Sequence, residues 1–341
     1  MTILTDSRWQ PADFWSRDRE GGLWCHLCPF HCHFTGDTVG RCRVRRRRGD
    51  HLETATFALP LRHRQPIERK PFYHVHPGAM TLTLASPGCN FRCDYCQNAS
   101  FAHAEPEEAM APDTPVLDPV ALTAETGRDG LILALSFTEP TLAAEATLAL
   151  HDHAAGRIPI VWKSNGFITP KAVSRLAPAL TAVNIDLKAA DPDTHLRLAA
   201  APLGPVIKGM QAFATAGVWV EVSTTVIPGV NDHPTALAAM AAMVADLGAD
   251  TPWHLRRFHP DHQRQDTDPT SPATLSQAVR IAHDAGLRHV YVERALGPDG
   301  RTTRCHACGE IVITRHVAGL LTNELDKGGC PGCGTALAGR W

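Results

Sequence analysis

The sequence predicts an α/β fold, a partial (β/α)6 TIM-like barrel with a small cysteine-rich module on either side, and three observations carry this. Short apolar runs alternate with helix-period segments from Thr81 onward, residues suited to chemistry fall just after those runs, and the cysteines form three separate groups. Such alternation implies a parallel sheet covered by helices, with an active site at the carboxyl ends of the strands.

Taken in order, strands are predicted at Thr81–Ala85, Leu131–Ser136, Pro159–Lys163, Ala182–Leu187, Val218–Val226, Trp253–Phe258 and His289–Val292. Between them Thr141–His153, Lys171–Leu180, Val206–Ala216, Thr235–Leu247 and Pro272–Ala285 carry helical spacing. The stretch 260–272 is expected to be a loop. Before Thr81 the pattern is irregular and rich in Cys, His and Arg, while after Gly297 two Cys pairs bracket a strand-like stretch around Ile311–Arg315. The division expected is an N-terminal module over 1–78, a core over 79–297 and a C-terminal module over 298–341.

The chain has 341 residues, and its 33 Lys and Arg nearly balance 35 Asp and Glu, so no global field favours nucleic acid or a membrane surface. The segment Met1–Gln10 has no basic region followed by an apolar run, and no apolar stretch is long enough to span a bilayer. A soluble, cytoplasmic protein is expected. In a long chain of this kind, 11 cysteines are expected to bind metal or do chemistry rather than form disulfides.

Cys89, Cys93 and Cys96 have the spacing C-x3-C-x2-C, so one loop after the first predicted strand must carry all three. Three thiolates on a four-iron cluster leave one iron open to an external chelator. A structural zinc ion, which takes four ligands, suits three cysteines poorly. Phe137-Thr138-Glu139-Pro140, Ser164-Asn165-Gly166 and Asp186-Leu187-Lys188 follow the next three predicted strands, and Glu221, Thr225 and His259 lie near later strand ends.

The trio segment resembles the radical SAM superfamily. That resemblance implies a [4Fe-4S] cluster on Cys89, Cys93 and Cys96, whose open iron binds the amino and carboxylate groups of S-adenosylmethionine (SAM). Reductive cleavage would then give a 5′-deoxyadenosyl radical that abstracts hydrogen from a substrate. Tyr95 matches the aromatic expected to pack on adenine; ordinary loop packing is the plain alternative. Thr138 and Glu139 take the place of the short acidic motif that holds the methionine amino group, with Phe137 and Thr138 where that motif usually has glycines. Glu139 could instead serve as a helix N-terminal charge. Ser164, Asn165, Asp186 and Lys188 match residues that approach the SAM ribose and carboxylate in related glycyl-radical-enzyme activases, where an acid replaces Lys163. A strand-end salt bridge for Asp186 and Lys188, and an Asn-Gly turn for 164–166, are the alternatives.

Cys305-x2-Cys308 and Cys330-x2-Cys333, each followed by glycine, have the spacing of a zinc ribbon, with an auxiliary iron–sulfur cluster as the alternative. Cys25, Cys28, Cys32 and Cys42 supply four more thiolates for zinc or an auxiliary cluster. Arg41, Arg43 and Arg45 to Arg48 are expected to form a solvated turn rather than a phosphate-binding patch, since no interleaved aromatics accompany them.

Along nearly its whole length the chain is similar to the radical SAM enzymes of the AmmeMemoRadiSam system, through residues 24–29, 66–74, 87–93, 96–98, 164–170, 227–232 and 253–254 and the terminal cysteine pairs. The likeness implies a flavodoxin or ferredoxin reductant and companion proteins of the MEMO and AMMECR types. A relationship to the glycyl-radical activases is implied too, although 97–129 lacks the cysteines that activases with extra clusters insert there. A zinc-ribbon scaffold with an inactive barrel, binding nucleic acid or protein, is the reading from another class.

Overall fold

The computed structural model describes residues 8–105 and 113–341. Most of the N-terminal segment inspected for a leader, and part of the cysteine-free stretch 97–129, lie outside the described residues.

The N-terminal module consists of short strands β1 (Gln10–Pro11), β2 (Trp15–Arg17), β3 (Leu23–Cys25), β4 (His33–Phe34), β5 (Arg45–Arg48) and β6 (His51–Thr54). They form two three-stranded sheets, β1-β6-β5 and β2-β3-β4. Arg41 and Arg43 lie in a turn, but Arg45–Arg48 form strand β5, paired antiparallel with β6, and not the solvated turn expected from their charge. The alternation of a strand sends Arg45 inward, where it is buried against Glu145 of the core. Arg46 pairs with Glu53 at 2.8 Å, and Arg47 donates to the Phe34 carbonyl at 2.9 Å. The run binds the module together.

The core is one eight-stranded sheet. Strands β7 (Leu61–Pro66) and β8 (Met80–Ala85) pair antiparallel. From β8 through β9 (Ile132–Leu135), β10 (Ile160–Ser164), β11 (Ala182–Asp186), β12 (Trp219–Val226), β13 (Trp253–Arg257) and β14 (Val290–Val292), neighbours are parallel. Spatial order follows chain order from β7 to β14. The central strands are apolar on both faces because a parallel sheet is covered on both sides.

Helices begin at a repeated device. Asp118, Thr169, Asp191 and Ser271 each precede a proline at the first helical position, and each side chain accepts a backbone N–H of the first turn. Proline gives up no needed donor there, and the capping oxygen satisfies one that would otherwise be orphaned. Two of these helices, Pro119–Arg128 and Pro192–Ala199, are not among those the periodicity predicted.

Strands β15 (Thr303–Arg304), β16 (Ile311–His316) and β17 (Gly319–Asn323) form the C-terminal three-stranded sheet. It docks on the core through Arg315, which is buried and donates to the Tyr73 carbonyl at 2.6 Å with its guanidinium 4.2 Å above the Tyr73 ring. Glu221 belongs to this region, not to the functional end of the sheet. It lies in the first half of β12, fully buried, accepting the N–H groups of Tyr73 and His74 at 3.1 and 2.9 Å and lying 2.5 Å from His254 Nε2. A buried carboxylate needs such partners, and these leave it no part at the other end.

Candidate active site

The loops leaving β8, β9, β10 and β11 emerge on one side of the sheet because those strands are parallel and in register. After β8 the chain turns at Gly88, whose φ is +90°. A Cβ there would lie 2.6 Å from Val44 Cγ1 and 3.0 Å from the Cys42 carbonyl, so the N-terminal module lies directly on the loop that carries Cys89, Cys93 and Cys96. Arg92 clamps that loop, donating to the Cys89, Phe91 and Arg41 carbonyls at 2.6, 2.8 and 3.1 Å. On the other side Asp94 pairs with Arg264 of the 260–272 loop.

At the end of β9 Phe137 has φ +72°, the left-handed region that glycine favours. Phe137 stands where the related motif usually has glycine and holds a conformation that glycine adopts without strain. Thr138 fixes the turn by donating its hydroxyl to the Ser86 carbonyl at 2.6 Å. Glu139 is buried and caps the 3-10 turn Pro140–Ala143, accepting from Thr141 N at 2.9 Å. It also accepts from Ser164 Oγ at 2.7 Å and Asn165 N at 2.8 Å. Burial raises its pKa against the pull of these donors. Glu139, Ser164 and Asn165 are thus one unit, and the helix-capping alternative holds at least in part.

Asn165 reaches the cysteine loop. Its Nδ2 lies 3.7 Å from Cys89 Sγ and donates to Asn90 Oδ1 at 2.7 Å, while Asn90 Nδ2 donates to the Phe167 carbonyl. Asn90 and Arg92 carry this arrangement and were not picked out from sequence; their place inside the C-x3-C-x2-C segment was the available signal.

After β11, Asp186 stands between two ammonium groups, Lys163 and Lys188, the latter at 2.8 Å. Lys163 also donates to Asn184 Oδ1 at 2.8 Å. Burial opposes the Asp186 charge, but the two lysines outweigh it and hold the carboxyl well below its usual range. Burial pushes Lys163 down to about 8, partly offset by Asp186. The Lys188 Nζ lies 5.6 Å from the Tyr95 ring centroid, and that ring meets Phe258 edge-on at 6.4 Å. Tyr95, Asp186 and Lys188 therefore gather beside Cys93. Thr225 is half-buried near the end of β12, and His259 is exposed.

Lys70 went unnoticed in the sequence. It is buried, with Nζ 4.1 Å from the Phe137 ring centroid, and burial pushes it down to about 7.

The donor set suits a cluster. Burial pushes Cys89 well above its ordinary value, Cys93 to about 11 and Cys96 upward. Thiols so placed stay protonated until a metal centre supplies the positive charge that stabilises the thiolate.

In the C-terminal module, Cys305 and Cys333 lie 3.6 Å apart, as do Cys308 and Cys330, and all four sulfurs fall within 4.8 Å of one another. That group could hold a metal. The N-terminal Cys25, Cys28, Cys32 and Cys42 line one cavity together with Arg45 and Asn90, so the residue following Cys89 also faces this second thiol group. Burial raises Cys25 and pushes Cys42 up to about 11.

The site therefore belongs to a mostly parallel α/β sheet that carries three cysteines on the loop after its first parallel strand. Residues 83–241 match the radical SAM superfamily. An uncharacterized protein of Methanocaldococcus jannaschii is 30% identical over 337 residues, covering 96% of this chain and 98% of that protein. A GTP 3′,8-cyclase of Nautilia profundicola is 27% identical over 149 residues, 42% of this chain and 46% of that one. Among solved structures, a radical SAM methyltransferase from Sphaerobacter thermophilus aligns with 19% identity and a TM-score of 0.48, covering 69% of this chain and 71% of that one. The chain belongs to the radical SAM superfamily. That membership implies a [4Fe-4S] cluster and SAM. Among the described residues, no helix is long and apolar enough to cross a membrane.

Proposed function

We propose that this chain is an enzyme that cleaves SAM reductively and uses the resulting radical to abstract hydrogen from a substrate. The observation that carries the reading is the convergence of the Cys89, Cys93 and Cys96 loop with Glu139, Asn165, Asp186 and Lys188 at neighbouring strand ends. Cys89, Cys93 and Cys96 would hold the cluster, which when bound and reduced supplies one electron to the SAM sulfonium.

The residues of the chain do the positioning. Glu139, already fixed by three donors, has a lone pair left for an ammonium, since a carboxylate offers about four acceptor sites. Lys188, held charged by Asp186, can meet a carboxylate, and Tyr95 beside it offers a flat face to a purine. Asn165 directs an N–H toward Cys89, where it would withdraw electron density from the thiolate of a bound cluster. Arg92 and the Asp94–Arg264 pair hold the loop in place.

The eight-stranded sheet is, on this reading, the partial barrel of the superfamily, and the system is the AmmeMemoRadiSam one. A flavodoxin or ferredoxin would reduce the cluster in the cytoplasm, alongside MEMO-type and AMMECR-type companions. Zinc suits the C-terminal four cysteines, because tetrahedral Zn–S bonds of about 2.3 Å place sulfurs at spacings like the 3.6 Å pairs there. The N-terminal four would hold a second metal centre, zinc or an auxiliary iron–sulfur cluster.

The test is anaerobic reconstitution with iron and sulfide, followed by reduction in the presence of SAM. Formation of 5′-deoxyadenosine, abolished in Cys93→Ser, is expected. A cluster-loaded protein that makes none would end the proposal. Adding a glycyl-radical enzyme and looking for its radical by electron paramagnetic resonance separates the activase reading from action on another substrate.

A further inference from the structure

We propose a divalent transition-metal site formed by Asp250, His289 and His306, separate from the three cysteine groups, which ties the C-terminal module to the core. The ligand atoms of these three side chains all lie within 4.8 Å of one another. They come from three places: the turn after helix Pro234–Ala245, the residue before β14, and the knuckle between Cys305 and Cys308.

His289 supplies the observation that points to a ligand. Its side chain is 2% exposed and its Nε2 is buried with no hydrogen-bond partner. Such orphaned polar atoms are rare in folded proteins and cost about 1–3 kcal/mol. The nearest carboxylate oxygen, Asp250 Oδ1, is 3.8 Å away, too far for a hydrogen bond. An ion with bonds of about 2.0–2.2 Å to nitrogen and oxygen fits a gap of that size. The His306 ring stands nearly perpendicular to that of His289, with centroids 6.3 Å apart.

Each ligand is held from behind. Arg288 donates to both Asp250 oxygens at 3.0 and 2.9 Å, and its own N–H meets the Ala249 carbonyl, so the 249–250 turn and the 288–289 segment are fixed together. This is the outer support that ligating carboxylates usually receive. The His289 carbonyl accepts from Trp253 N at 2.9 Å. The knuckle that presents His306 is closed by Gly309 N donating to the Cys305 carbonyl at 2.9 Å. His306 is exposed, which leaves the remaining coordination position open to water. Two imidazoles and a carboxylate select zinc-class ions over magnesium or calcium, which prefer all-oxygen sites.

The site is independent of radical chemistry, and its test reads metal rather than turnover. The full-length protein, purified anaerobically, is equilibrated by dialysis against zinc chloride with excess magnesium, and bound zinc and iron are counted by plasma mass spectrometry. Asp250→Asn and His306→Ala, whose side chains are at least partly exposed, should each bind one zinc fewer per chain than wild type with iron unchanged. Cys308→Ser should lose a different zinc, so that the double variant with His306→Ala loses two. Zinc should also raise the thermal midpoint of wild type more than that of His306→Ala. Equal zinc counts in wild type and both variants would overturn the site, as would variants less stable than wild type at an unchanged count, since that result describes packing alone.

Discussion

Asn165 shows how a residue can be singled out by its strand-end position while its partners stay hidden. Its place after β10 was legible; its contact with Cys89 Sγ was not, because the two are 76 residues apart and only the folded sheet brings them together. A hydrogen bond to a cluster sulfur raises the potential of the cluster. Asn165→Ala should therefore lower that potential and slow 5′-deoxyadenosine formation while leaving iron content intact, which redox titration followed by electron paramagnetic resonance can measure. An unchanged potential would remove Asn165 from the site. Lys70 gives a second prediction, on stability. Among the described residues no carboxylate is paired with it, and burial depresses it from 10.5 to about 7. Between those values the unfolded chain binds more protons than the folded one, so stability rises with pH across that window. Below about pH 7 the cost of burying the ammonium is present in full, softened by the Phe137 ring. Lys70→Met should thus be more stable than wild type at pH 6, with the gap closing toward pH 10. Urea unfolding at both ends of the range tests this; a pH-independent gap would contradict it.

At the scale of elements, short apolar runs located the seven strands β8 to β14, whose central members are buried on both faces. They missed β7 for the converse reason. Leu-Arg-His-Arg-Gln-Pro is an edge strand whose side chains are largely exposed, and nothing in its hydropathy marks it. Two helices were missed although Asp118-Pro119 and Asp191-Pro192, a capping carboxylate before a proline at the first helical position, announce them. Helix Gly204–Thr215 depends on another detail. A Cβ on Gly209 would lie 2.1 Å from the Gly166 carbonyl oxygen, so this helix can approach the turn carrying Asn165 only with glycine there. Gly209→Ala must push the helix or the turn aside. Overpacking of this kind costs about 1–3 kcal/mol, and the displaced turn should also carry Asn165 away from Cys89. Both a lowered unfolding midpoint and the shifted potential of Asn165→Ala are expected. A stability loss with a wild-type potential would mean that the helix moves and the site does not.

For the whole molecule the question is how three cysteine-bearing parts are kept in one arrangement, and the clearest link is Arg45. It sits on β5 of the N-terminal module, is 1% exposed, and pairs with Glu145 on helix Ala144–Ala154 of the core. The same guanidinium points a donor at Cys25 Sγ, 3.8 Å away, inside the cavity lined by the four N-terminal cysteines. Arg45 therefore balances two negative partners, the Glu145 carboxylate and whatever charge the thiol group carries. Removing one partner from a buried ion pair costs about 3–5 kcal/mol, because the survivor keeps an uncompensated charge. The cost should depend on the other partner. With a metal bound, the four sulfurs are thiolates and the site is net anionic, so Arg45 retains a counter-charge when Glu145 is lost. After the metal is stripped the buried thiols are protonated, as their raised pKa values require, and Arg45 is left alone. Glu145→Gln should consequently lower the unfolding midpoint modestly in metal-loaded protein and much more after anaerobic treatment with a strong chelator. Wild type should lose less on the same treatment. Calorimetry of the four states forms a double-difference cycle, and a coupling near zero would show that no charge resides on the N-terminal cysteines and that they hold no metal.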